Sequence, residues 1–252
     1  MTLRIYLAGR VAIEGPAAVV TERDLPSRQG RVVLALLAAE QPRRIPRDEI
    51  ATELWPDQPP PSSDKAIAAL ISKLRTVLAR VGLDGDVIEA AYGGYRLCLP
   101  PDVWVDQIDA AQQLEVAETF VRDGEPLAGY GAAHVALYVL ERRFLDGEDG
   151  PWVTARREQL RLLLLRALAV ATVVNAANGE HDVAIRQAER AVAIDPFRES
   201  AWRQLISSYA SNGDTALALQ AYNRCRRTLD DEFGIRPSPA TEALYLDLLQ
   251  AT

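Results

Sequence analysis

Lysine is nearly missing from this chain: among 28 Lys and Arg only Lys65 and Lys73 are lysine. Cysteine is equally scarce. Cys98 and Cys225 stand far apart with no CxxC partner, which argues against a zinc site or a disulfide framework and fits a reducing cytoplasm. The two histidines, His134 and His181, lack a neighbouring Cys, His or matched acidic pair, so structural or surface roles are expected and no metal is implied. The run Asp230-Asp231-Glu232 lacks the glycine-spaced loop of a calcium site. Without a GxxxxGK[ST], GxGxxG or GxSxG motif, nucleotide hydrolysis and serine-hydrolase chemistry have no foothold. No enzyme activity and no cofactor are expected. Uninterrupted apolar runs fall short of the ~18 residues of a membrane span, since Leu160–Val174 is broken by Arg161 and Arg166. The start MTLRIYLAGR has no long apolar core, so neither export nor a membrane is expected.

An excess of positive charge is also lacking. The formal charge is −7; residues 1–100 carry 13 Lys/Arg against 12 Asp/Glu, and residues 101–252 carry 15 against 23. A phosphate-facing surface must therefore come from local placement of side chains. The hydrophobic fraction of 48% and charged fraction of 25% are those of a globular chain long enough for two ordinary domains.

Both lysines lie in one stretch, Ser62–Val81, where Ile67, Leu70, Ile71, Leu74, Leu78 and Val81 recur at the three- and four-residue steps of a helix face. Ser62 or Ser63 offers an N-cap, and Pro59-Pro60-Pro61 bars a helix from upstream. Alternation over residues 3–21 predicts a three-stranded meander turning at Glu14-Gly15-Pro16. Gln29–Ala39 predicts a helix with Val32, Val33, Leu36 and Leu37 on one side. Arg47–Leu54 predicts a second, with Ile50 and Leu54 inward. Residues 87–99 predict a hairpin around Gly93-Gly94. Three helices followed by a hairpin make the winged helix-turn-helix order, in which a helix can enter the major groove.

The stretches LPSRQGRVVLALLA, IPRDEIATELWPDQPP, ISKLR and YGGYRL, in that order, resemble the OmpR-type winged helix of the Streptomyces antibiotic regulatory protein family. The resemblance implies DNA-facing positions at Lys65, Ala69, Ser72, Lys73 and Arg75, with Arg96 by the wing. It also implies an RNA polymerase-facing loop at Trp55, Pro56, Asp57, Gln58, Pro59, Pro60 and Pro61. This chain departs from the pattern: Ala66, Ala68, Ala69 and Leu70 occupy much of a helix that carries more arginine, and often histidine or tyrosine, in the family, and residues 90–94 of the wing tip have no basic residue. A pair of domains on repeated half-sites, a homodimer, is expected to compensate for few phosphate contacts.

Beyond Val105 the alternation stops. Residues 106–122 and 131–144 read as helices, and a long helix starts near Pro151, a favoured first position. A shift of 34 residues, the tetratricopeptide period, places Gly179 over Gly213, Ala184 over Ala218, Ala188 over Tyr222, Ala191 over Cys225 and Pro196 over Asp230. It also places Leu168 over Trp202, Ala171 over Leu205 and Asn175 over Tyr209. Cys98 and Cys225 read as core thiols, Trp152 and Trp202 as buried anchors, and Arg224, Arg226 and Arg227 as a solvated face. The tail DDEFGIRPSPATEALYLDLL and the GPW at Gly150–Trp152 resemble the bacterial transcriptional activation domain of the same family.

The expected architecture is mainly α with small β elements: a winged helix-turn-helix over 1–100, then a tetratricopeptide-like α-helical domain over 105–252. The expected function is a cytoplasmic, DNA-binding transcriptional regulator that activates from repeated promoter half-sites and recruits RNA polymerase. The alternative is a protein-interaction module whose degenerate winged helix no longer binds double-stranded DNA.

Overall fold

The computed structural model describes residues 3–83 and 87–250. Its contacts divide the chain into two units, residues up to Ala111 with Val139–Arg161, and Gln112–Tyr138 with residues from Leu162 onward.

In the first unit the meander is present as β1 (Arg4–Tyr6), β2 (Ala12–Glu14) and β3 (Val19–Val20). A fourth strand, β7 (Trp104–Val105), joins it parallel to β1, pairing Arg4 with Trp104 and Ile5 with Val105. Two residues are too few to show alternation, so sequence periodicity could not reveal it. Beyond β7, the Asp106 carboxylate is buried and accepts from the backbone N–H groups of Leu7, Ala8 and Gln107 at 2.7–3.0 Å. Those bonds satisfy amides that the short strands leave unpaired.

Helix α1 (Arg28–Ala39) begins where Ser27 Oγ accepts from Gly30 N at 3.0 Å. All seven residues from Val32 to Ala38 are buried, not only the side with Val32, Val33, Leu36 and Leu37. A helix apolar all round is a core helix. Strand β4 (Ile45–Pro46) leads into α2 (Arg47–Leu54), whose acidic first turn, Asp48 and Glu49, suits the helix dipole. Within α2 the expected inward Leu54 is only half-buried, whereas Glu53 is buried; the reason lies in the partner described below. Helix α3 (Ser63–Ala79) buries Ile67, Leu70, Ile71, Leu74 and Leu78, and Val81 just beyond it. Ser62 is its N-cap residue but bonds through its carbonyl to Ala66 N, without a side-chain cap.

The wing is β5 (Ile88–Ala91) and β6 (Gly94–Leu97), and β4 pairs with β6 to complete a second sheet. The turn sits one residue earlier than expected. Tyr92 and Gly93 are the left-handed pair, with φ of 47° and 76°, as a tight two-residue hairpin turn requires. Gly94 is a strand residue opposite both Ala91 and Pro46. Its glycine is set by space, because a Cβ there would lie 2.5 Å from the Ile45 carbonyl oxygen. Gly94→Ala is therefore expected to destabilise the fold by about 1–3 kcal/mol, the usual range for overpacking, measured by urea unfolding. Cys98 corrects another expectation: it is exposed, because strand alternation turns Leu97 inward and Cys98 outward.

The second unit is helical. It holds the end of α4 (Asp106–Arg122), a 3-10 turn over Pro126–Gly129 and α5 (Tyr130–Leu140) up to Tyr138. Helix α5 stops four residues short of the expected end; Phe144 instead bridges Ala8 within the first unit. Helix α6 (Pro151–Ala177) gives Pro151–Arg161 to the first unit and the remainder to the second. By length and composition it could cross a membrane, yet half of its most apolar window is packed inside the protein.

Helices α7 (His181–Ile194), α8 (Glu199–Ser211), α9 (Thr215–Phe233) and α10 (Pro239–Gln250) follow. The 34-residue register holds in space. Gly179 and Gly213 make equivalent left-handed turns at φ 78° and 86°, and Ala184, Ala218, Ala188, Tyr222, Ala191 and Cys225 are all buried. Leu168, Ala171, Asn175, Trp202 and Leu205 are buried too, while Tyr209 is half-buried and donates to Glu189 at 2.7 Å. The match fails at Pro196 over Asp230, because α9 runs on to Phe233 and ends at Gly234 with φ 65°. Trp202 is a buried anchor whose Nε1 donates to the Pro196 carbonyl at 2.8 Å, with the Arg224 guanidinium over its ring. Trp152 is half-buried instead, because its indole N–H reaches Glu40.

Candidate nucleic-acid interface

The buried residues of α3 dictate what its other face presents. With Ile67, Leu70, Ile71 and Leu74 inward, Asp64, Lys65, Ala66, Ala68, Ala69, Ser72, Lys73 and Thr76 are exposed. Lys65, Ala69, Ser72 and Lys73 recur at helical steps of four, three and one, so the structure brings these four expected positions onto one open face. The small side chains between the lysines leave the helix backbone open to close approach.

Two expected contacts are differently placed. Arg75 is half-buried, and its guanidinium donates to the Ile88 carbonyl, through Nε at 3.1 Å and also through Nη2. It ties α3 to the first residue of the wing. Arg96 is directly across the hairpin from Glu89 and is ion-paired to it. The loop leaving α2 starts at a half-buried Trp55, whose N–H donates to Ala51 O at 2.9 Å. Pro56, Asp57, Gln58, Pro59 and Pro61 are exposed, and the half-buried Pro60 accepts from Ser63 N.

Sequence reasoning missed the basic residues that the fold delivers to the wing tip. Arg44 donates to the Ala91 carbonyl at 3.0 Å, pairs with Glu89 at 3.4 Å, and sits 5.5 Å above the ring of Tyr92. Arg47 lies 5.5 Å above Tyr95, and its backbone N–H donates to Gly93 O. The only signal was the run Arg43-Arg44-Ile45-Pro46-Arg47, some fifty residues from the hairpin in sequence. Arg43 itself is engaged by both carboxylate oxygens of Glu49 at 2.8 Å, which raises its pKa further.

A second cluster was equally hidden. Glu53, at the end of α2, accepts from Trp152 N at 2.7 Å and Val153 N at 3.3 Å, capping the start of α6 from another element. Gly150 lines this contact so closely that a Cβ would lie 2.0 Å from Glu53 Oε1. Beside it Trp152 Nε1 donates to Glu40, and Arg28 and Arg31 both pair with the buried Glu148. Burial, with repulsion from Glu148, raises the Glu53 pKa above the ordinary carboxylate range, against the two N–H bonds that lower it.

Among known proteins, residues 105–249 match the family described as bacterial transcriptional activator domain, and residues 23–97 match that described as transcriptional regulatory protein, C terminal. The chain is similar to the transcriptional regulatory protein MoaR1 of Mycobacterium tuberculosis, 29% identical across 91% of this chain and 75% of that protein. It is 28% identical to the regulatory protein DnrI of Streptomyces peucetius, across 89% and 85%. A solved structure of Mycobacterium tuberculosis EmbR, in complex with a low-affinity phosphopeptide, superposes with a TM-score of 0.88 at 27% identity over 99% of this chain and 65% of that one. The chain thus spans about two thirds of that structure. Two family matches laid end to end on a winged helix and a tetratricopeptide-like array settle the assignment: the chain belongs to the Streptomyces antibiotic regulatory protein family of DNA-binding transcriptional regulators.

Proposed function

We propose that this regulator is an activator that places α3 in the major groove, binds repeated half-sites as a homodimer, and meets RNA polymerase through the Trp55–Pro61 loop. What carries the reading is the open face of α3, where Lys65 and Lys73 flank small residues that permit close approach to a groove. With two lysines as its phosphate contacts, one such helix binds weakly, and a second copy on an adjacent half-site raises the effective affinity.

The test is selection of genomic fragments by the pure protein at low salt, followed by sequencing. Enrichment of fragments with a repeated motif is expected. Recovery no better than bulk DNA would favour a docking module whose winged helix contacts protein instead. The polymerase contact has its own signature. Trp55→Ala, or alanines at Asp57 and Gln58, should leave affinity for the selected fragment within about twofold while reducing run-off transcription from it. Equal loss of both, or of neither, would remove the loop from this role. The twofold margin reflects the small effect expected of side chains that touch no phosphate.

A further inference from the structure

The wing's positive charge is held by a carboxylate. Glu89 lies on β5 directly opposite Arg96, and its Oε2 takes the Arg96 guanidinium while Oε1 pairs with Arg44 at 3.4 Å. Cys98, the other polar group facing it, donates its thiol to Oε2 at 3.7 Å. Arg44 is fixed twice more, by the Ala91 carbonyl and by the face of Tyr92. Tyr92 stands at the left-handed turn with 98% of its surface exposed. Two guanidinium groups thus converge on one two-oxygen anion beside the most open aromatic of the hairpin.

Ion pairs at partly exposed sites such as these contribute only modestly to folding, so stability does not by itself account for this arrangement. Its chemistry is that of an arginine pair prepared for a phosphate, which offers oxygens in the same fork geometry. We propose that Glu89 is an internal counter-anion of the wing: it gathers Arg44 and Arg96 at the hairpin and holds their guanidinium groups back from a DNA phosphate, which limits how strongly the wing binds. The inference rests on the DNA-binding reading above. With Glu89 ionised the trio carries one net positive charge; without it, two. The hairpin then contributes position more than affinity, leaving discrimination between sequences to the small-residue face of α3. Glu89 is a positioning residue here, acting on DNA through two arginines.

Glu89→Gln keeps the size and an acceptor oxygen and removes the charge. Binding to a mixed-sequence duplex of about 40 base pairs, followed by fluorescence anisotropy across a salt series, should tighten about tenfold at low salt. The slope of log affinity against log salt should steepen by about 0.9 for each arginine freed onto a phosphate, a change that a purely structural role would not produce. Adding Arg44→Ala and Arg96→Ala to the Gln background should abolish the gain. Glu89→Ala carries the same expectation and serves if the glutamine disturbs the hairpin. If the wild type binds, weakens on Lys65→Ala/Lys73→Ala, and neither Glu89 variant tightens or steepens binding, this inference alone is overturned. If the wild type and both Glu89 variants fail to bind any duplex, the DNA-binding reading falls with it.

Discussion

Glu53→Ala is expected to lower the unfolding free energy by about 3 kcal/mol, read as a shift of the urea midpoint at constant slope. The carboxylate is the partner of Trp152 N and Val153 N, two of the amides that the first turn of any helix leaves without an intrahelical acceptor. Alanine removes both bonds where Val153 is fully buried, and water has little access to replace them. A buried donor left unsatisfied costs about 1–3 kcal/mol, and a cavity adds to it. Gly150→Ala should be damaging for the converse reason: its Cβ would occupy the place of the Glu53 oxygen. A change below about 0.5 kcal/mol in Glu53→Ala, the usual effect of a surface substitution, would show that the contact does not hold the start of α6.

The same residue sets a pH dependence. Because the folded-state pKa of Glu53 is raised, the folded protein holds its proton over a range where the unfolded chain has lost it. The proton-linked part of its stabilisation, separate from the two N–H bonds, is fully present below the unfolded value, near 4.5, and is lost as pH rises through the folded value. Glu53→Gln cannot titrate, so the stability of wild type relative to Glu53→Gln should fall as pH rises from about 4.5 through the raised folded value. A difference that instead grows with pH would reverse the assigned direction.

Lys65→Ala/Lys73→Ala is expected to weaken binding to a selected duplex by roughly one to two orders of magnitude at low salt and to reduce the salt slope by about 1.8, two contacts at about 0.9 each. The lysines are eight residues apart, about 12 Å along the helix at 1.5 Å per residue, and both side chains are exposed. That spacing lets them reach phosphates at separate points along a groove. Arg75→Ala should behave differently. Its guanidinium is already committed to the Ile88 carbonyl, so its removal should loosen the wing and weaken binding with little change in slope. Equal slopes in wild type and the double lysine variant would show that α3 does not face the phosphates.

The fold was legible in this sequence wherever periodicity or turn chemistry ran long enough. The three α3 steps from Ile67 to Leu78, the Pro151 start of α6 and the 34-residue offset between Gly179 and Gly213 each encode a local geometry that neighbouring residues enforce by themselves. The failures fall where the local pattern is too short or where a distant segment supplies the partner. The strand Trp104–Val105 was too short to register, and Leu54 exchanged roles with Glu53 because a backbone distant in sequence supplied two N–H donors. Phe144 left its expected helix to bridge Ala8.

The candidate site divides along the same line. Helical spacing by itself determined that Lys65, Ala69, Ser72 and Lys73 share a face, because 3.6 residues per turn leave no alternative once the apolar side is buried. Which arginines are free and which are spoken for was decided only in three dimensions: Arg75 by the Ile88 carbonyl, Arg96 and Arg44 by Glu89. The pairing of Arg44 with Glu89, 45 positions on, depends on where the chain returns, and side-chain pattern along a single segment carries no record of that.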